Sequence, residues 1–335
     1  MTLHSSYIDQ GRRNALFNGN FDSWPGGLGP FTAGDTACNW LYGHNGAVVC
    51  NAAGSSASKP NNTSKYVYKL EVTTADASMT DTDYVHTFYR VEGYDFAPFI
   101  GQTATISFWV RSSVTGIYSL FMRNDGLDRS YIAEFTINAV DTWEKKEITV
   151  KFDYVGGTWN YTNGQGINIG FAPACGTTFS TSTIGEWVSS NLIASSNQVS
   201  NWAATVGNTF QFAQMQMELG NTSSQFESLP WAAFEELVNR YYFSIYLYVN
   251  ATCVGTGTGN GYVSWDFPSI MRAAPTITHP GTNQMWNGTW IDATAVNHSA
   301  NSYRCLTTMQ NTTSGYVIGS ALLILMTSVI CDARL

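Results

Sequence analysis

Charge is scarce in this chain. Asp, Glu, Lys and Arg make up 12% of its 335 residues, against roughly 25% in ordinary soluble proteins. The balance is acidic, with a formal net charge of −8. No basic run exists beyond the pairs Arg12–Arg13 and Lys145–Lys146. A polyanion partner needs a basic footprint, so no nucleic-acid partner is expected. Long apolar runs are missing as well. The most apolar stretch, Ala321–Ile330 (ALLILMTSVI), is about half the length of a membrane-spanning helix. It reads as a buried final strand, and no membrane insertion is expected. Met1–Arg13 has no apolar core and does not read as a secretory signal.

Catalytic and metal-binding motifs are absent too. There is no G-x-S-x-G, no P-loop, no H-E-x-x-H, and no G-x-G-x-x-G ahead of a helix. The histidines His4, His44, His86, His279 and His298 are scattered, with no nucleophile or orienting partner suggested by spacing. No two of the cysteines Cys38, Cys50, Cys175, Cys253, Cys305 and Cys331 stand at C-x-x-C spacing. They read as buried reduced thiols; Cys38 and Cys50 flank one loop and are the pair placed to bridge under oxidising conditions. Neither cofactor nor metal is expected, and the chain reads as non-enzymatic. Two side readings rest on carboxylates. Asp81/Asp83 or Asp125/Asp128 offer clustered loop oxygens to calcium. A pair among Asp125, Asp128 and Glu134 would meet the minimum need of a glycosidase.

Aromatics, by contrast, reach 14%, and Thr, Asn, Ser and Gly fill much of the remainder. Such a composition suits sheet surface and turns rather than disorder. Strand-like segments recur every ten to fifteen residues or so. They are Cys38–Tyr42, Ala47–Asn51, Tyr66–Thr73, Tyr84–Val91, Thr103–Arg111, Gly116–Arg123, Tyr131–Ile137, Glu144–Phe152, Ile167–Ala172 and Thr209–Leu219, after an opening strand Asn14–Asp22 with a turn at Asn18–Gly19. In Thr105–Arg111, Ile106, Phe108 and Val110 point one way, and Ser107, Trp109 and Arg111 the other. Sustained period-two patterning without a helical stretch predicts an antiparallel β-sandwich.

The pattern breaks at Gly220. A polar link leads to an amphipathic helix, Pro230–Tyr242, with Ser228 as the expected N-cap. Trp231, Phe234, Val238 and Tyr241 recur at three- and four-residue steps, giving one face that either packs on a β domain or meets its copies about a symmetry axis. Six short strands are expected beyond it: Phe243–Asn250, Tyr262–Phe267, Thr276–His279, Trp286–Ala293, Ser302–Thr308 and Tyr316–Cys331, with a turn at Gly255–Gly261. The expected fold is therefore mainly β. It comprises an N-terminal peptide (1–13), a sandwich (14–220), a linker with one short helix (221–242) and a small C-terminal β domain (243–335).

Loop aromatics carry the functional expectation. Trp24 lies in a Pro/Gly loop, Trp40 and Tyr42 lie beside His44 and Asn45, and Trp159 and Tyr161 lie in GGTWNYTNG. An indole or phenol ring at a loop tip can stack on the C–H face of a sugar. The same ring can equally plug the end of a sandwich. Trp109 and Trp143 are assigned to sheet packing.

Several ordered segments resemble one group of proteins. The junction Met215–Tyr242, through Gln216, Glu218, Gly220, Phe226, Glu227, Pro230, Glu236, Arg240, Tyr241 and Tyr242, resembles a connector of tail-fibre and appendage proteins of bacteriophages and prophages. NALFNGNFD (Asn14–Asp22) followed by Trp24 is similar to the opening of jelly-roll carbohydrate-binding modules. Ile106–Asn124, Asp128–Asp153, Thr158–Gly164, Leu192–Gly220, Phe267–Thr278 and Cys331–Leu335 continue the likeness to such fibres. The resemblance implies a jelly roll in a virion appendage, assembled in the host bacterial cytoplasm. It further implies a trimer, contacts with other virion proteins, and binding of host-surface glycan. The last sandwich strand carries only Glu218 where enzyme-linked modules often carry paired aspartates, so no calcium site follows. Without a long N-terminal shaft, a short fibre, tip or decoration is expected. A purely structural virion protein with no glycan binding is the alternative, and a polysaccharide-degrading enzyme a remote one.

Overall fold

The computed structural model describes residues 12–153, 155–199, 201–254, 259–286, 290–293, 295–311 and 321–335. They fall into two compact units, Met1–Leu229 and Pro230–Arg334. Both are built mainly from antiparallel sheet, in keeping with period-two patterning.

Unit 1 has fourteen strands in the order β1 (Gly34–Asp35), β2 (Trp40–Asn45), β3 (Val49–Ser55), β4 (Val67–Thr74), β5 (Tyr84–Glu92), β6 (Thr103–Ser112), β7 (Gly116–Asn124), β8 (Ser130–Ile137), β9 (Glu144–Lys151), β10 (Gln165–Cys175), β11 (Ser180–Thr181), β12 (Trp187–Val188), β13 (Ala194–Ser195) and β14 (Thr209–Leu219). One large sheet runs β1-β2-β5-β10-β7-β8-β12, the other runs β3-β4-β14-β6-β9, and β11 and β13 form a small parallel pair. Their inner faces carry the core: Trp40, Tyr42 and Tyr89 from the first sheet meet Tyr68, Phe108, Phe210 and Phe212 from the second, all essentially without exposure. Phe171 bridges them edge-on, its ring 4.8 Å from Phe212 and 4.9 Å from Phe108.

Two sequence expectations change in unit 1. Asn14–Asp22 is a buried coil with the expected turn, not a strand. It is held by the Ala15 N–H on the Met217 carbonyl at 3.0 Å and by the Asn14 side chain, which donates to the Met215 carbonyl at 3.1 Å. At Gly19 a Cβ would sit 1.9 Å from the Met215 carbonyl oxygen, an approach only glycine permits. A short helix, α1 (Gly93–Phe96), interrupts the strands. The cysteines Cys38, Cys50 and Cys175 are free thiols, in line with the reduced reading.

Unit 2 opens with helix α2 (Trp231–Asn239). Strands β15 (Tyr242–Val254), β16 (Gly259–Asp266), β17 (Thr276–Thr278), β18 (Asn283–Trp286), β19 (Trp290–Asp292), β20 (Ala295–Ala300), β21 (Arg304–Asn311) and β22 (Ala321–Asp332) follow. They form one sheet, β19-β18-β22-β15-β16-β21-β20, with β17 also paired to β22. The apolar run Ala321–Ile330 is thus a strand, hydrogen-bonded to β15 along its length. Its core is sulfur-rich, with Met271, Met285, Met309, Met326, Cys305 and Cys331 packed around Trp265 and Ile324. The helix is shorter than expected, and Ser228 does not cap it. Pro230 stands at the N-cap position without a side-chain bond. The start of the expected strand at Tyr316 and part of the Gly255–Gly261 turn lie outside the described residues. So does the expected N-terminal peptide, apart from Arg12 and Arg13. Among the described residues no helix is long and apolar enough to cross a membrane.

Candidate functional site

The five loop aromatics expected to bind sugar do not converge. Trp40 and Tyr42 occupy the inward positions of β2 and are fully buried. Trp40 lies 5.0 Å from Phe21 and 5.4 Å from Tyr89, and its indole N–H donates to the Asn18 carbonyl at 3.2 Å. The Tyr42 hydroxyl accepts the Cys50 N–H at 3.2 Å, and burial pushes its phenol pKa up. Neither ring offers a face to a ligand, which corrects the expectation for both. Trp24 is half-buried. It stacks on Phe31 and Tyr68, at 6.2 and 5.6 Å between centroids, and donates to the Phe21 carbonyl. Trp159 belongs to a different cluster. It stacks on Phe96 at 5.6 Å, meets the edge of Trp187 at 5.7 Å, and donates to the Gly156 carbonyl. Tyr161, 41% exposed, is the most open of the five.

The two outer faces of the sandwich differ. Residues 176–199 fold back over the seven-stranded sheet. There Leu192, Ile193 and Ala194 pack on Phe88, Phe121, Ile132 and Ala172 in a second small core. Beneath this flap lie two buried bases. Burial, reinforced by the Arg123 charge, lowers the His86 pKa to about 3. Burial also lowers Arg123 to about 10. The Arg123 guanidinium donates to Asn191 Oδ1 at 2.9 Å and lies over the Phe121 ring at 4.9 Å.

The outer face of the five-stranded sheet is covered only in part, where residues 220–229 lie across Thr105, Gln216 and Glu218. Here β14 steps from Ala213 to Gln216 while β6 steps from Trp109 to Ser107, which is a β-bulge. Gln214, at the bulge, has φ 50°, a left-handed conformation that costs a non-glycine residue on the order of 1 kcal/mol. Its amide is tied to Asn61 and Thr63, with Nε2 donating to Asn61 Oδ1 at 2.8 Å. A depression of about 360 Å³ results, walled by Asn61, Thr63, Gln214, Trp109, Lys145 and Phe226. A second, of about 280 Å³, lies farther along the same strands, between Lys69, Arg111, Gln211 and Asp141.

Trp109 is distinctive within unit 1. Trp24, Trp40, Trp143, Trp159, Trp187 and Trp202 all donate their indole N–H, to Phe21, Asn18, Ser58, Gly156, Lys151 and Thr209 respectively. Among the described residues the Trp109 N–H has no protein partner, and its ring meets no other ring. It is half-buried on the outer side of β6, not packed in the sheet as expected. The cations around it are neutralised locally. Lys145 pairs with Glu147 at 2.9 Å, Lys69 with Glu71 at 2.5 Å, and Arg111 with Asp141 at 3.1 Å. The face is thus amphipathic and close to electroneutral.

Four of the carboxylates singled out in the sequence accept hydrogen bonds within the fold. Asp83 accepts the Thr80 N–H at 2.6 Å. Asp128 accepts from Asn124 and from the Thr158 N–H, bonds that hold its pKa below the usual carboxylate range. Glu134 accepts from Ser195 and Asn197. Glu218 accepts the Ser224 N–H at 2.7 Å. Among the described residues no group of three or more His, Cys, Asp or Glu side chains is placed to hold a metal ion.

The helix residues expected at an oligomer interface are split. Phe234 and Tyr241 are buried within the chain together with Leu237, which the sequence reading had left out. Val238 is half-buried. Trp231 is 59% exposed.

No protein-family model and no curated protein matches the chain. Solved structures do resemble it. The family 11 carbohydrate-binding module of a cellulosomal cellulase of Clostridium thermocellum aligns at 12% identity over 59% of this chain and 98% of its own, with a TM-score of 0.33. A putative sugar-binding protein from Bacteroides thetaiotaomicron aligns at 11% identity over 62% of this chain and 100% of its own, with a TM-score of 0.34. The enzymatically active domain of tailspike protein 4 of bacteriophage CBA120 aligns at 11% identity over 54% of this chain but 19% of its own, with a TM-score of 0.33. Overlaps this loose decide neither ligand nor activity for this chain.

Proposed function

We propose that the chain is a non-catalytic virion appendage protein whose first unit binds a host-surface glycan on the outer face of its five-stranded sheet. The observation that carries this reading is Trp109. It is a half-buried indole with a free N–H, set in a depression beside Asn61, Gln214 and Lys145. A pyranose needs an apolar ring to stack on and directed hydrogen bonds for its hydroxyls, and this constellation offers both. The connector resemblance in Met215–Tyr242 supports the virion role.

A glycan array probed with the full chain tests the reading. Binding is expected to be lost on Trp109→Ala and retained on Trp159→Ala and Tyr161→Ala. The opposite pattern would return the site to the loop aromatics. Absence of binding to any glycan or to host cells would favour the purely structural virion role, for which the packing of Trp24, Trp40 and Tyr42 inside the fold also speaks. A homotrimer belongs to the same proposal. Trp231, Tyr246 and Tyr248 are 59%, 74% and 62% exposed and are surfaces that copies of the chain would cover. Sedimentation giving a monomer at micromolar concentration would remove it.

A further inference from the structure

The stretch 220–229 is more than a link. It leaves β14, turns back across the outer face of its own sheet, and supplies Gln225, Phe226 and Ser228 to the wall of the Trp109 depression. Its anchors are outward side chains of the strands that floor that depression. Thr105 Oγ1 donates to the Gly220 carbonyl at 3.0 Å. Lys145 Nζ donates to Ser223 Oγ at 3.1 Å, and Glu147 accepts from the same hydroxyl. The Glu218 carboxylate accepts the Ser224 N–H and hydroxyl, both at 2.7 Å. Gln216 Oε1 accepts the Glu227 N–H at 2.8 Å. Beyond the Gly220 N–H on the Thr103 carbonyl at 2.9 Å, the bonds found among the described residues for this stretch run through side chains.

We propose that residues 220–229 form a detachable wall of the Trp109 groove. An uncharged glycan segment seated there would clamp this wall to the sheet, so that glycan occupancy is read out in the chain segment that leaves unit 1. This rests on the glycan reading above. The class of glycan follows from charge. Each cation bordering the two depressions already has its carboxylate, so an acidic sugar would have to displace Glu71, Asp141 or Glu147, whereas a neutral one displaces water. Coupling follows from shared anchors. Lys145 lines the groove and also holds Ser223, while Phe226 is in both wall and connector. A ligand that touches wall and floor together stabilises their contact by its differential affinity for the closed arrangement.

The test uses the full chain on an array of neutral and acidic glycans, with three variants. Trp109→Ala removes the floor and Phe226→Ala removes the wall. Ser224→Ala loosens an anchor without touching the groove lining. The expected result is binding to neutral glycans that is abolished by Trp109→Ala. Phe226→Ala is expected to weaken it about 10-fold, the effect of truncating a contact aromatic. Ser224→Ala should weaken it about 5-fold, as loss of an anchoring hydrogen bond implies. In the parent chain the best-retained glycan should also slow amide hydrogen exchange across residues 221–228, and less so in Ser224→Ala. Neutral-glycan binding lost on Trp109→Ala but unchanged in both connector variants would overturn the wall and leave the glycan reading standing. Retention of acidic glycans alone would overturn the neutral class. An array with no retained glycan would defeat the glycan reading itself, and the wall with it.

Discussion

His86 makes the fold of unit 1 acid-sensitive, by an amount that can be worked out. Its imidazole lies under the flap, 4.8 Å from the Tyr84 ring and 5.1 Å from Phe88. Its Nδ1 is buried and accepts no hydrogen bond among the described residues. A charged imidazole there would lose its hydration and face Arg123, so the folded state keeps it neutral, with a pKa lowered from 6.5 to about 3. The unfolded chain takes up a proton near 6.5. Between these values the unfolded state binds the extra proton, so the stability is fully present above pH 6.5 and drains away as pH falls toward 3. Each unit of pH below 6.5 removes about 1.4 kcal/mol, so two units, at pH 4.5, remove roughly 2–3 kcal/mol. His86→Phe keeps an aromatic ring in an aromatic site and has no proton to gain. Urea unfolding of the parent and the variant at pH 7 and pH 4.5, read on the transition that exposes Trp40, isolates the effect, because other acid-labile groups are common to both chains. The parent is expected to lose roughly 2–3 kcal/mol more than the variant over that interval. Equal losses would refute the reasoning and place the imidazole in contact with water in the folded state.

Two further substitutions probe the core directly. Trp40→Ala should cost about 3–5 kcal/mol, as truncation of a fully buried aromatic does, and should collapse the near-UV circular dichroism of unit 1; a loss under 1 kcal/mol would show the ring to be peripheral. Gly170→Ala would place a Cβ 2.0 Å from the Thr87 carbonyl oxygen on the neighbouring strand, so a loss of at least about 2 kcal/mol is expected from overpacking, with faster amide exchange along β5 and β10; an unchanged melting temperature would contradict that close approach.

Most of the sheet was legible because period-two alternation is a local property. β14 was expected at Thr209–Leu219 and is found there, and β6 was expected to end at Arg111 and runs one residue further. Where the pattern was weak, or mimicked a strand, the reading failed. AVNHSA gives little β signal, yet β20 forms because β21 pairs with it along its whole length. Asn14–Asp22 looks strand-like, but Phe21 takes φ 59° and its ring turns inward onto Trp40. The site was harder for a different reason. In WLYGHN, alternation puts Trp40 and Tyr42 on one face and Leu41 on the other, but it does not say which face is core. On β6 the pattern did set Trp109 opposite Ile106, Phe108 and Val110. What leaves that side partly open is that the flap of residues 176–199 closes the other sheet instead, a long-range fact with no local signature. The helix shows the same limit: the face that is buried includes Leu237, and the exposed ring is Trp231.

The closeness of the entry and exit points of unit 1 has a mechanical consequence. Glu227, on the way out, accepts the backbone N–H groups of Arg13 and Asn14, on the way in, at 2.9 and 2.8 Å. The sandwich therefore hangs from the chain as a loop closed by a clasp. Tension applied between the segments on either side passes through that clasp and the neighbouring bond from Ala15 to Met217. The Arg12–Asp95 ion pair and the Asn14 side-chain bonds to Met215 and Met217 share that load, so the ladders bear little of it until these bonds part. A pull along the chain would then open the clasp before it disturbs any β-ladder, so the clasp acts as a fuse of low strength that shields the folded body it closes.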